Sequence, residues 1–333
     1  MFFFNNKYDL TFICKRNNNH FAEPILAELE KKYKIQYLFV EHSSDYWHFR
    51  VKGRVVWNEW ANKFAWHISK KNWGDRKVFV RLHRYEIDTK YMNLINWNNI
   101  DKVVFVNSIF ETEFKNNINQ SVKTITIPNA ININSFPNNK VNYGNNLCTL
   151  SVDFNERKGY IKLINLFNKL IKIDNSFRLN IIAQKSDLSD IQKVELDSEI
   201  IKLNLNDFVT ITQRYQLDDI NKERNVISNL LQNNDIIISY SDDESFHYSF
   251  AEGMLSGLEG FYNMWQNPKI KEFWEDWGYN SEDDFINGII SWSKLSNEEK
   301  INKAQINRNY VVNNFGSEVI AKQYEELFFG NCN

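Results

Sequence analysis

NDIIISYSDDESFHYSFAEGMLSG, residues 234–257, is the stretch whose reading decides the fold. Ile236, Ile237 and Ile238 make a buried strand that delivers the chain into a short acidic loop, and the spacing predicts a helix starting near Phe246. Phe246, Phe250 and Met254 then fall at i, i+4 and i+8 and face the core, while Tyr248, Glu252 and Ser256 share another face. Strand, loop and helix in that order belong to a parallel α/β sheet. Phosphate-bearing ligands bind such sheets in the loop beyond the strand, where unpaired N–H groups and the helix dipole point. Glu244 lies in that loop and Glu252 follows eight residues later. Gly253 and Gly257 form a G-x-x-x-G row that would let the helix lie close against its neighbour, at a cost in helix propensity.

Outward from this stretch the chain alternates strands and helices, which predicts parallel sheets. In the first half, residues 10–14, 35–40 and 55–57 read as strands and 22–33 as a helix. Trp60, Phe64, His67 and Ile68 fall at i, i+4, i+7 and i+8 of the helix after residue 57 and read as core. Trp57, Trp66 and Trp73 also read first as packing, although an aromatic face can stack on a pyranose. KVFVRLHRYE, residues 77–86, places a central strand at Val78, Phe79, Val80 and Leu82. Arg81, His83, Arg84 and Glu86 gather at its carboxyl end, and Glu59 faces the same crevice from the preceding strand.

The second half repeats the pattern after a polar linker at residues 137–146. A strand at 147–152 leads into DFNERKG and a helix at 160–172. Arg157, Lys158 and Gly159 suit a diphosphate cradle, because glycine permits close approach, lysine supplies a point charge and the helix dipole adds to both. Further strands are predicted at 177–183 and 208–212, with Gln213, Arg214 and Tyr215 ending the second, and helices at 191–203 and 216–232. An amphipathic run at 282–292 and a terminal helix at 318–328 complete the chain.

With 333 residues and 43% hydrophobic content, the chain supports two ordinary domains and excludes disorder. Cys14, Cys148 and Cys332 suggest neither a disulfide framework nor a zinc site. Neither a signal peptide nor an 18-residue apolar run stands out, so a cytoplasmic protein is expected. Residues 1–136 carry a formal +7 and the remainder −9. The basic half leaves peripheral contact with the inner face of a membrane open. Nucleic acid is not an expected partner, because the aromatics follow core periodicity.

Two glutamates separated by seven residues, after an apolar strand ending in Ser239 and before a small-residue helix ending in Gly257, resemble the donor-site signature of glycosyltransferase family 4. I-P-N-A-I-x-x-x-x-F, residues 127–136, resembles that family's crossing into its second domain, with Ala130 where glycine is common. The resemblance implies an α/β chain of two Rossmann-like doubly wound domains facing across a cleft, the GT-B architecture. Residues 1–136 would bind the acceptor, 137–312 the nucleotide sugar, and 313–333 would form a helix crossing back to the first domain. It also implies transfer of a hexosyl or N-acetylhexosaminyl unit, with retention, from a nucleotide-diphosphate sugar. A UDP-sugar is expected in preference to a GDP-sugar, and a glycan, lipid-linked or protein acceptor. No cofactor and no metal are expected. By resemblance His83, Glu244 and Lys158 are catalytic. Arg157, Lys158, Glu244, Ser245, Phe246, His247, Glu252 and Arg214 bind the donor, and Glu59, Arg81, Arg84 and Glu86 the acceptor.

The chain departs from the family pattern in three places. Asp153 stands where an arginine is usual, Ser245-Phe246-His247 where Gly-Phe-Gly is usual, and Leu258-Glu259 where a small residue and proline follow. These departures keep two other readings open: a non-catalytic GT-B relative acting as a binding or partner-stabilising module, and a sugar-nucleotide epimerase.

Overall fold

A computed structural model describes residues 7–41, 50–118, 121–151, 154–184, 190–214 and 220–330. The chain begins β1 (Tyr8–Lys15), α1 (Glu23–Leu29), β2 (Ile35–Val40), β3 (Gly53–Glu59), α2 (Lys63–Ser69), β4 (Lys77–Leu82), α3 (Tyr91–Leu94), β5 (Lys102–Phe105), α4 (Ser108–Asn117) and β6 (Thr124–Thr126). It continues through β7 (Asn146–Ser151), α5 (Tyr160–Ile173), β8 (Arg178–Gln184), α6 (Asp190–Lys202), β9 (Val209–Arg214), α7 (Ile220–Gln232), β10 (Ile236–Ser239) and α8 (Tyr248–Leu255). β11 (Glu259–Asn263), α9 (Lys271–Trp274), β12 (Gly278–Tyr279), α10 (Glu282–Ser293), α11 (Asn297–Phe315) and α12 (Ser317–Phe329) end it.

The strands form two six-stranded sheets in the orders β2-β1-β3-β4-β5-β6 and β12-β11-β10-β7-β8-β9, parallel at every pairing. Each sheet belongs to one compact unit: Met1–Ala130 with Phe315–Asn333, and Ile131–Asn314. The division falls at Ala130, ahead of residue 136, because the 3-10 turn Ile133–Ser135 packs on α7 of the second unit.

Pleating sorts the strand residues onto two covered faces. In the first unit Leu10, Phe12, Cys14, Val55, Trp57 and Phe79 pack with α1 and α12. Ile13, Val56, Val78, Val80 and Leu82 pack with α2 and α4 on the other face. Both faces are buried, which is why these strands read as continuous apolar runs. In the second unit Ile236 and Ile238 join α5 and α10, and Ile237 lies against α8.

The two glycines of the G-x-x-x-G row serve different ends. A Cβ on Gly253 would lie 2.7 Å from Cβ of Ile237, so the close neighbour is strand β10 and not a helix. Gly257 lies beyond the helix with φ 86°. There the Leu258 N–H reaches Gly253 O at 3.1 Å and the Gly257 N–H reaches Met254 O at 3.1 Å, the paired bonds of a Schellman cap. α8 starts two residues after Phe246, because His247 at φ 70° turns the chain before the helix begins.

Sequence reading does not mark β11, β12 or α11. All five residues of β11 are buried, and Gly260 lies where a Cβ would meet Phe250 at 2.6 Å, so no alternation appears. Only a few α11 residues, Ala304, Val311 and Phe315 among them, are buried apolar anchors along a largely polar helix.

Helix α12 closes the first core. Tyr324 stacks on Trp57 at 4.9 Å between ring centroids, and Phe328 lies 4.9 Å from Phe79 and 5.4 Å from Trp57. Phe328→Ala should cost the first unit about 3–5 kcal/mol in urea unfolding. The exposed Leu94→Ala should stay within about 0.5 kcal/mol. A loss below about 1 kcal/mol for Phe328→Ala would contradict this packing.

Candidate functional site

Each sheet reverses its strand order once, between β1 and β3 and between β7 and β10. Loops leave the carboxyl ends of those strands in opposite directions, and the crevice between them is where open α/β sheets bind ligands. Apart from Arg214 at the end of β9, the charged residues singled out from the sequence lie beside these two places.

In the second unit the loop after β7 makes a 3-10 turn, Glu156–Lys158, in which the Asn155 side chain accepts the Arg157 N–H at 3.0 Å. Gly159 follows at φ 67°, and a Cβ there would lie 2.3 Å from the Tyr240 carbonyl oxygen. Only glycine lets this turn approach the loop after β10 so closely. The Asp242 N–H donates to Arg157 O at 2.8 Å and locks the two loops together, with Ser241 Oγ 3.1 Å from the same carbonyl oxygen.

One oxygen sits at the centre of the cluster. Glu244 Oε1 accepts from Lys158 Nζ at 2.7 Å, Arg157 Nη1 at 2.9 Å and Ser241 Oγ at 2.9 Å. Side chains of Lys158 and Glu244 are 14% and 13% exposed, so water screens this pair far less than the surface pair Lys162–Asp242 at 51% and 37%. Burial works to raise the Glu244 carboxyl, but Lys158 and Arg157 outweigh it and hold the group well below the usual carboxylate range. Two cations against one anion leave a positive charge.

Beside them His247 is buried and hydrogen-bonded to Ser239 Oγ. Burial lowers its pKa to about 4, with Lys158 and Arg157 pushing the same way, so the ring is neutral near pH 7. Its left-handed backbone costs a residue of this size about 1–3 kcal/mol. The chain thus keeps a glycine-type conformation where the family pattern has glycine, and fills it with histidine. Phe246 is core, packed on Phe273 at 5.4 Å. Ser245 is half-buried, and so is Glu252 in the second turn of α8. Arg214 ends β9, but its side chain, like Asp153, lies outside the described residues.

In the first unit Glu59 and Arg81 expose no surface and pair at 3.3 Å. His83 Nε2 lies 2.8 Å from Glu59 Oε1, while Arg81 also donates to Phe21 O at 3.3 Å and to Asn129 Oδ1. Burial works to raise the Glu59 carboxyl, yet Arg81 and His83 keep it below its ordinary value. Burial also lowers the pKa of His83, so a neutral imidazole donates Nε2–H to the carboxylate. Glu86 Oε2 accepts the His83 N–H at 3.0 Å, and burial pushes the Glu86 carboxyl up to about 8. Of the four residues expected at the acceptor, only Arg84, half-buried over the Tyr85 ring at 4.8 Å, keeps appreciable surface.

Trp60, Phe21 and Asn129 complete this group and were not singled out as site residues. Trp60 is not part of the α2 stripe. It lies in the loop at φ 79°, and Asn62 caps α2 by accepting the Phe64 N–H at 2.9 Å. That cap was the signal available, since an Asn before an apolar run marks a helix start.

No family profile and no curated protein sequence matches the chain. Solved structures do. Anabaena HepE in complex with UDP aligns with a TM-score of 0.72 at 14% identity, over 96% of this chain and 99% of that one. Sucrose-phosphate synthase from Thermosynechococcus elongatus gives 0.70 at 12% identity, over 96% and 98%. A variant of S. aureus TarM in complex with Fondaparinux, alpha-GlcNAc-glycerol and UDP gives 0.64 at 16% identity, over 83% of this chain and 55% of TarM. The chain thus spans about half the length of TarM. These likenesses define the fold: two parallel-sheet α/β units of the GT-B type. Among the described residues no group of three or more His, Cys, Asp or Glu could hold a metal ion, and no helix is long and apolar enough to cross a membrane.

The histidine gives a pH signature. Between an ordinary value of 6.5 and a folded value of about 4, the unfolded chain binds the extra proton. Stability contributed by neutral His247 is therefore complete above about pH 6.5 and is lost as pH falls toward 4, at up to about 1.4 kcal/mol per pH unit. His247→Asn keeps a residue tolerant of positive φ and removes the titration. The difference in unfolding free energy between wild type and variant should shrink across that window; a difference independent of pH would contradict the buried neutral ring.

Proposed function

We propose that the chain is a glycosyltransferase that moves a hexosyl or N-acetylhexosaminyl unit from a UDP-sugar to an acceptor, with retention of configuration. One observation carries this reading: the Arg157–Lys158–Glu244 cluster, net positive, at the β7/β10 reversal of a fold shared with proteins solved with UDP.

Leaving of the nucleoside diphosphate builds negative charge on its terminal phosphate and positive character on the sugar. Lys158 and Arg157 stabilise the first. Lysine has three donors and arginine five, so each can hold Glu244 and still meet phosphate oxygens. Glu244 fixes where those cations stand, and its carboxylate lies close to the developing positive charge on the sugar. The first turns of α5 and α8 follow these two loops and point their helix dipoles toward the same crevice. Glu252 holds the ribose hydroxyls in this reading. In this reading the two cations supply the charge that a metal supplies elsewhere.

Thermal shift and calorimetry with UDP, GDP, ADP, UDP-glucose and UDP-N-acetylglucosamine test the reading. UDP at 100 times its dissociation constant should add about 2.7 kcal/mol and raise the melting midpoint by a few degrees. Lys158→Ala and Arg157→Ala should each weaken UDP at least tenfold. Absence of binding by every nucleotide, or undiminished binding in both variants with cooperative melts, would overturn it. Epimerised UDP-sugar formed without an acceptor would identify an epimerase instead.

A further inference from the structure

The amino-terminal edge of the first sheet carries charge that neither cluster uses. Each of its six strands has a lysine at its first residue or directly before it: Lys7, Lys34, Lys52, Lys77, Lys102 and Lys123. Register sets them side by side, since Tyr8 pairs with Gly53, Val55 with Lys77, Phe79 with Lys102 and Val103 with Thr124. Neighbouring strands lie about 4.8 Å apart, so the row runs for about 24 Å. Exposed Arg50 and Arg54 flank Lys52, and exposed Lys70 and Lys71 follow α2 on the way to β4. Asp9, Asp75 and Asp101 lie at the same edge; Asp9 pairs with Arg54 at 2.9 Å and Asp101 accepts the Val78 N–H at 2.6 Å.

The fold does not require this charge. Helices of a parallel sheet end at its amino edge, where their dipoles favour cations. The second sheet has the same arrangement, yet its strands start at Asn146, Arg178, Val209, Ile236, Glu259 and Gly278, and Asp235 precedes β10. Arg178 is the cation there, against the acids Asp235 and Glu259.

Two tryptophans border the row. Trp66, half-buried on α2, has Lys70 Nζ 3.5 Å from the centre of its ring. Half-buried Trp73 donates its Nε1–H to Ile68 O at 2.9 Å, and Gly74 after it, at φ 61°, has open space where a Cβ would stand. This turn projects from the unit, and Arg76 Nε ties it to β3 by donating to Gly53 O at 3.0 Å.

We propose that this edge docks the protein on an anionic lipid surface. Its lysines form a broad row of point charges, without the forked geometry that selects a single phosphate or carboxylate. Such a row binds the averaged charge of a bilayer, and indoles with an apolar body and a hydrogen-bonding tip settle at the headgroup level. The carboxyl edge stands at the other end of the same strands, about 20 Å away along six residues. Lipid at the lysine edge is therefore an anchor and not the acceptor. Docking here does not depend on what the Glu244 cluster binds.

Flotation of the full chain with vesicles tests it. Binding to vesicles containing phosphatidylglycerol should be at least tenfold tighter than to phosphatidylcholine alone, and should weaken as salt is raised. Lys52→Gln, Lys70→Gln and Lys71→Gln together change exposed side chains outside both clusters. That variant should bind these vesicles at least tenfold more weakly, with its melting midpoint and UDP affinity unchanged. Removing the same charge from the second unit, by Lys172→Gln, Lys202→Gln and Lys294→Gln, should leave vesicle affinity within about twofold. Equal binding to both vesicle types, or undiminished binding by the first variant, overturns the docking face. So does an equal loss in the second variant, which would make net charge the cause. Binding to soluble polyglutamate in preference to vesicles overturns the lipid assignment in favour of an acidic polypeptide. Vesicle binding by a protein that binds no nucleotide overturns the transferase reading and supports the docking face.

Discussion

A parallel sheet covered on both faces leaves its strands no side to show to water, so charge can be placed only at strand ends. Most candidate residues follow from that constraint; Glu252, in the second turn of α8, does not. Val78, Val80 and Leu82 are committed to one core and Phe79 to the other, and the next residues free of both cores are the polar ones at the carboxyl edge. Where the strand order reverses, two such edges supply loops that diverge, and the cluster around Glu244 and the group around Trp60 occupy those two places.

The two clusters treat charge differently. Glu59 and Arg81 expose nothing, and a pair so deeply buried contributes little net stability over apolar side chains, because desolvation consumes most of the attraction. Its retention is better explained by what it orients: an imidazole with a defined tautomer and an indole resting on it. Glu244, Lys158 and Arg157 keep part of their surface, so their charges can be exchanged with a ligand. The first group is a scaffold, and the second can change partners.

Strain marks both places. His247 and Trp60 each hold a left-handed backbone that glycine would take more readily, and each lies in the loop just beyond a strand beside the reversal. Neither conformation is favoured locally. Each persists because the surrounding hydrogen bonds and packing leave no other arrangement.

Much of this was legible in the residues. Apolar runs bounded by polar loops gave the alternation, Phe246, Phe250 and Met254 gave the buried face of α8, and Arg157-Lys158-Gly159 and Glu244 marked the edge of the second sheet. Those are local signals, set by periodicity and by the chemistry of adjacent side chains. Tertiary structure alone decided which strands neighbour which, and therefore that Arg157 and Lys158 meet Glu244 from 87 and 86 positions away. It alone gave Gly253 a strand to lie against, drew Trp60 out of its expected helix, and buried Glu59 with Arg81. Hydrophobic periodicity fixes which side of an element faces inward, but contacts between loops depend on sheet order, and no repeat along the chain encodes that.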